Sequence, residues 1–289
     1  MFEEHVTGLA FPEAARWHDG HLWFSDMHDE RVFRVDGPGR VTEVARVPGD
    51  PAGLGWLPDG RLLVVSMHDR RLLRLDPDGL TGHADLGHIA TWHCNDMVVD
   101  AQGRAYVGNF GDGTPPGTPI TPADLALVHP DGTVVVAATG LEFPNGAAIG
   151  DGTFVIAETR ADPPRLTRFD IEPDGTLTNR RLFASFGPVA SLGDKSGGES
   201  PDGICLDAEG AVWFASWSTN EVIRVREGGE ILDRRSTGDA GAYSCVLGGD
   251  DGRTLFVCVA ATWMPEESRR TRTGRILATR VDVPATHLR

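Results

Sequence analysis

SPDGICLDAEGAVWFASW, residues 200 to 217, reads as a short apolar strand, a tight turn at Glu209-Gly210 and a second strand rich in β-branched and aromatic residues. That is the pattern of a β-hairpin. The same pattern recurs in EAARWHDGHLWFSD from Glu13, AGLGWLPDGRLLVVS from Ala52, NDMVVDAQGRAYVGN from Asn95, NGAAIGDGTFVIAE from Asn145 and SCVLGGDDGRTLFVC from Ser244. Every copy turns at a residue followed by Gly: Asp19-Gly20, Asp59-Gly60, Gln102-Gly103, Asp151-Gly152 and Asp251-Gly252 in the five others. Most copies run on into a third strand in which apolar residues alternate with Arg, as in RVFRVD at 31 to 36, RLLRLD at 71 to 76, RLTRFD at 165 to 170 and EVIRVR at 221 to 226. A turn and a fourth, more variable strand follow. The unit is a four-stranded antiparallel sheet of about 40 to 50 residues, the size of a propeller blade.

Six such units fill residues 1 to 289, so the expected fold is all-β, one domain, a six-bladed β-propeller around a central tunnel. Composition agrees. The 36 Gly and 19 Pro are spread along the chain, as many tight turns require, and 40% hydrophobic against 24% charged residues is the balance of a globular protein. The segment at 274 to 282 reads as a strand of the last blade, where the ring must close to avoid open strand edges. Two long connections, at 111 to 122 and 187 to 200, read either as a lid over one end of the tunnel or as plain blade links.

A formal net charge of -15 disfavours nucleic acid and anionic membranes, leaving a small molecule as the expected partner. No apolar run approaches the roughly 20 residues of a membrane span. The first residues lack the basic and apolar regions of a signal peptide, so a cytoplasmic protein is expected. Cys94, Cys205, Cys245 and Cys258 are scattered through strand-like segments and read as buried free thiols. No GxSxG elbow or phosphate-loop pattern is present. Oligomeric state has no signature in the sequence.

In a propeller the first strand of each blade lines the tunnel. The residues opening the six repeats, Glu13, Ala52, Asn95, Asn145, Asp202 and Ser244, therefore face a shared axis. Two carboxylates near one axis repel and lose hydration, and a cation relieves both costs. The donors are oxygens, which favours a hard divalent ion: Ca²⁺ first, with Mg²⁺, Mn²⁺ or Zn²⁺ as alternatives. Asp96, next to Asn95, is expected to point away from the tunnel between blades. His18, His28, His68, His83, His88 and His129 read as exposed residues in or near turns.

The motifs FPEAARWHDGHLWFSD, CNDMVVDAQGRAYVGN, EFPNGAAI and SPDGICLDAEGAVWFASW, in order at blade spacing, resemble the SMP-30/gluconolactonase/luciferin-regenerating-enzyme family over essentially the whole chain. The resemblance implies that Glu13, Asn145 and Asp202 hold the metal and that Asn95 lies beside it as ligand or substrate contact. It also implies that Asp202 doubles as general base in a metal-dependent lactonase. Sugar lactonases of the family carry an Arg two residues before the Asn, where this chain has His93. An imidazole makes no bidentate fork, so His93 and Trp92 point toward a less polar ring, Trp92 having an equal claim as a blade-packing residue. Other chemistries compatible with the same site are phosphoester or organophosphate hydrolysis and a non-hydrolytic ring modification. A non-catalytic binding propeller is the remaining alternative.

Overall fold

The computed structural model describes residues 1 to 112, 121 to 187 and 198 to 286. These form six four-stranded antiparallel sheets. Their inner strands are Pro12–His18, Pro51–Trp56, Cys94–Val99, Pro144–Gly150, Pro201–Leu206 and Gly241–Gly248, which define blades 1 to 6. Each inner strand packs against the inner strands of the blades on either side, closing a ring. Both long connections fall largely at 113 to 120 and 188 to 197, so the lid expectation lies outside the described residues.

The hairpin turns form as their sequence dictates. Asp19 and Gly20 have φ of 48° and 73°, and Asp151 and Gly152 have 50° and 73°, the left-handed pair that a tight turn matched to strand twist demands. The Arg-alternating segments become the third strands, with RLLRLD spanning Arg71–Asp76 and RLTRFD lying in Arg165–Ile171. In RLTRFD, Leu166, Thr167 and Phe169 are buried while the two arginines stay partly open.

Ring closure uses a strand that the repeat pattern does not reveal. Blade 6 consists of Gly241–Gly248, Thr254–Ala260, Gly274–Arg280 and, as its outermost strand, the N-terminal Glu3–Leu9. Glu3 pairs with Ala278 and Val6 with Ile276, so the two ends of the chain are joined in one sheet. The helix Pro265–Thr271 lies in the connection before the last of these strands, against the short turn Met27–Asp29 of blade 1.

Neighbouring inner strands approach closely enough to exclude a β-carbon. At Gly146 it would lie 2.4 Å from the Asp202 carbonyl oxygen, and at Gly203 it would lie 2.7 Å from the Ser244 Cα. Glycine just after the tunnel-facing Asn145 and Asp202 is thus a packing requirement of the ring.

Candidate functional site

Five of the six inner strands are irregular just past the tunnel-facing residue, and in blade 6 the slip falls before Ser244, between Ala242 and Ser244. Strand pairing slips between Glu13 and Arg16, Pro51 and Leu54, Cys94 and Met97, Pro144 and Ala147, and Pro201 and Ile204. Such bulges re-aim side chains, so the simple in-out alternation fails here.

Buried polar groups at the ends of second strands latch the starts of the inner ones. Asp26 accepts the amides of Ala10 at 3.0 Å and Phe11 at 2.7 Å, placing the chain entering at Glu13. Glu158 accepts the amide of Glu142 at 2.9 Å and is paired with Arg165 at 2.8 Å, fixing the approach to Asn145. Thr159 donates to the Pro201 carbonyl at 2.7 Å, and the Ser200 amide donates to Ser218 at 3.0 Å, setting Asp202.

Four of the six expected positions converge. Asn95 Nδ2 donates to Asn145 Oδ1 at 2.7 Å, and Asn145 Nδ2 donates to Asp202 Oδ1 at 2.5 Å, a chain across blades 3, 4 and 5. All three residues are buried. Glu13, from blade 1, accepts its neighbour Ala14's amide at 2.8 Å. It is partly open to the lumen yet surrounded by protein, and the enclosure decides how poorly its charge is solvated. Burial and then the charge of Asp202 push the Glu13 carboxyl well above the usual range. Burial and then the charge of Asp96 do the same to Asp202, against the Asn145 hydrogen bond. Ala52 is a small buried wall residue, and Ser244 accepts the Ala15 amide at 3.0 Å instead of facing a ligand.

Asp96 corrects the expectation that it points between blades. Its Oδ1 accepts Arg16 Nη2 at 2.5 Å. Blades 1 and 3 are not neighbours, so this pair bridges the inner face of the ring, and Asp96 joins Glu13 and Asp202 as a third acidic group in the tunnel. Arg16 also donates to the Met97 carbonyl. Below it, on the opposite face, a cavity of about 570 Å³ is lined by Arg16, Trp17, Val98, Ile149, Leu206 and Leu247 and includes none of Glu13, Asn145 and Asp202. Arg16 thus lines this cavity with the same side chain that meets Asp96. Neither Arg16 nor the true direction of Asp96 is visible to a strict alternation rule.

His68 and His88 are exposed as expected, while His28 needs correcting and His18 and His83 are half-buried. His28 is buried, stacks on Phe11 at 4.7 Å and lies 2.6 Å from Ser268 Oγ. Burial first, then the nearby charges of Arg269 and His68, bring it down to about 4. His18 stacks on Trp56 at 3.9 Å, and His83 lies within the strand Gly79–Asp85. His93 stands at the rim against His68 and Trp92, and burial brings it down to about 4. Trp92 is 43% exposed, which removes the blade-packing role. All four cysteines are free, and Cys205 is partly exposed, not buried.

Among the described residues no three His, Cys, Asp or Glu side chains group to hold an ion. The ligand set read from the sequence has two carboxylates and completes itself with a carboxamide. That set suits a hard cation, since the Asn145 carbonyl oxygen has a second lone pair besides the one accepting from Asn95.

The sequence profile of the SMP-30/gluconolactonase/LRE-like region matches residues 11 to 261. The chain belongs to this family. This SMP-30-like chain is 28% identical over 168 residues to the pentonolactonase XacC of Haloferax volcanii, covering 57% of this chain and 53% of the relative. It is 27% identical over 192 residues to regucalcin of Danio rerio, covering 65% and 61% respectively. It thus spans between about half and three-fifths of these two relatives. The solved structure of regucalcin from Agrobacterium tumefaciens, a calcium-binding protein, superimposes with a TM-score of 0.79 at 20% identity, covering 98% of this chain and 95% of the other. That likeness establishes the shared propeller. No helix among the described residues is long and apolar enough to cross a membrane.

Proposed function

We propose that this propeller hydrolyses a small-molecule lactone at the tunnel mouth with one divalent cation held by Glu13, Asn145 and Asp202. Calcium is the first choice, from the oxygen donors and the regucalcin likeness, with Mn²⁺, Mg²⁺ or Zn²⁺ as alternatives. One observation carries the reading: Glu13 and Asp202, from blades 1 and 5, meet in an enclosed tunnel where burial and mutual repulsion oppose their ionisation. Arg16 is already engaged by Asp96, so a cation has a vacant electrostatic role. The lactonase relative supports the choice of reaction.

When bound, the cation would polarise the ester carbonyl and make water easier to ionise. Asp202 engages Asn145 through Oδ1, which leaves Oδ2 to take a proton from the attacking water. Asn95, whose amide now donates to Asn145, would turn that donor to a substrate oxygen and steady the developing charge. The water oxygen bonds to the carbonyl carbon, the ring C–O bond breaks, and the proton on Asp202 passes to the leaving alkoxide. The product is the open hydroxy acid. Asp202→Asn keeps the shape and removes the base, so kcat on any accepted lactone falls about 10²-fold or more. Full turnover by that variant contradicts the assignment.

A further inference from the structure

The end of the tunnel where the inner strands begin is ringed by aromatic side chains. Trp92 and His93 lead into blade 3 with ring centroids 4.4 Å apart, and His93 is 6.4 Å from Phe110. Phe110 in turn stacks at 4.3 Å on Phe143, which leads into blade 4. On the far side, Phe11 meets Tyr243 edge-on at 4.6 Å. The first four form a continuous wall two or three residues before Asn95 and Asn145 or, for Phe110, just after the second strand of blade 3. Trp92 leaves much of its indole in water at the outer end of that wall. An exposed indole that continues a partly buried aromatic stack is a surface for an apolar group.

His93 is braced from behind. Asp50 is buried and holds His68 through Nε2 at 3.0 Å, which turns His68 Nδ1 away from it. That Nδ1 lies 3.3 and 3.2 Å from the two ring nitrogens of His93, with the rings perpendicular. The rim thus presents at His93 a ring fixed in orientation and without the permanent charge of a guanidinium.

We propose that the site takes an uncharged lactone bearing an aryl or alkyl substituent, with the ring toward Asn95 and the substituent on the Trp92, His93, Phe110 and Phe143 wall, and that Asp50 and His68 are positioning residues for His93. This rests on the lactonase reading. Cations beside the wall argue the other way: Arg70 donates to the Ala90 carbonyl close to His93, and a second one sets the control. Arg160, whose amide donates to the Glu142 carbonyl beside Phe143, has its Nε buried without a hydrogen-bond partner among the described residues.

The test is kcat/KM of the full chain loaded with its preferred cation, on γ-nonalactone, a benzo-fused δ-lactone, glucono-δ-lactone and a lactone carrying a free carboxylate. The substituted apolar lactones lead by at least about tenfold, and Trp92→Ala narrows that lead through KM. Asp50→Ala raises KM for the apolar lactones, and Asp50→Asn, which keeps an acceptor for His68, restores it. A preference for glucono-δ-lactone overturns the substrate class and leaves lactone hydrolysis standing. So does a preference for the carboxylate-bearing lactone that Arg160→Ala abolishes. If no lactone is turned over, an alkyl-substituted δ-lactam separates the two ideas. Quenching of fluorescence that is lost in Trp92→Ala retains the apolar wall and removes hydrolysis, and no binding removes both.

Discussion

Asp96 and His28 are residues whose surroundings reverse what their position along the chain suggests. Alternation along a strand sends Asp96 outward from Asn95, but the bulge between Cys94 and Met97 breaks the alternation and delivers it to Arg16 across the ring. Asn95, Asn145 and Asp202 were legible because repeat register, unlike alternation, survives a bulge that their blades share, whereas in blade 6 the slip falls ahead of Ser244 and the register fails. His28 sits in a turn, where exposure is the ordinary case, yet the helix Pro265–Thr271 covers it with Ser268 and Arg269. A contact 240 residues distant has no local signal. Its consequence is a pH dependence. The folded state holds His28 at about 4 against an ordinary 6.5, so the unfolded chain binds the extra proton first as pH falls. Stability contributed by neutral His28 is complete above about 6.5 and is lost toward 4, by up to about 1.4 kcal/mol per pH unit in that window. Urea melts at pH 7, 5.5 and 4.5 are expected to show a shallower acid decline in His28→Gln than in the parent protein.

At the scale of strands, the site depends on how closely inner strands pack. In Gly146→Ala the new methyl meets the Asp202 carbonyl oxygen, the Gly203 Cα and the Ile204 amide, all backbone atoms that give way only by moving the strand bearing Asp202. A loss of about 1 to 3 kcal/mol is expected by chemical denaturation, as in overpacked cores, together with lower affinity for any cation bound by Asp202. Unchanged melts and unchanged cation binding would contradict the close-approach argument. Hairpin turns and third strands were legible because each rests on local chemistry, a Gly-bearing turn or an apolar residue every second position. The closing strand Glu3–Leu9 was not. Only Val6 and Leu9 are buried in it, as suits an outermost strand, so it carries little alternation and no turn of its own. Deleting residues 1 to 9 would strip the pairing partner from Gly274–Arg280 and leave an open sheet edge beside blade 1. The truncated protein is expected to melt several degrees lower and to aggregate in light scattering, whereas equal Tm and a clean monodisperse sample would mean that the closure contributes little.

For the whole molecule, a ring of six blades brings carboxylates 189 residues apart in sequence, Glu13 and Asp202, to one axis, and adds two carboxamides and an aromatic wall at the rim. Repelling acids at the centre of a ring call for a proton or a cation to answer their charge, and Arg16, paired with Asp96, is the weakest of the influences on Glu13. The direct measurement is metal content of the purified full chain, paired with lactone turnover before chelation, after chelation and after return of Ca²⁺, Mn²⁺, Mg²⁺ or Zn²⁺. The account predicts one ion per chain, loss of turnover and a lower Tm on chelation, and recovery of both with an oxygen-preferring cation. A metal-free protein with undiminished stability and turnover that no added cation changes would contradict it.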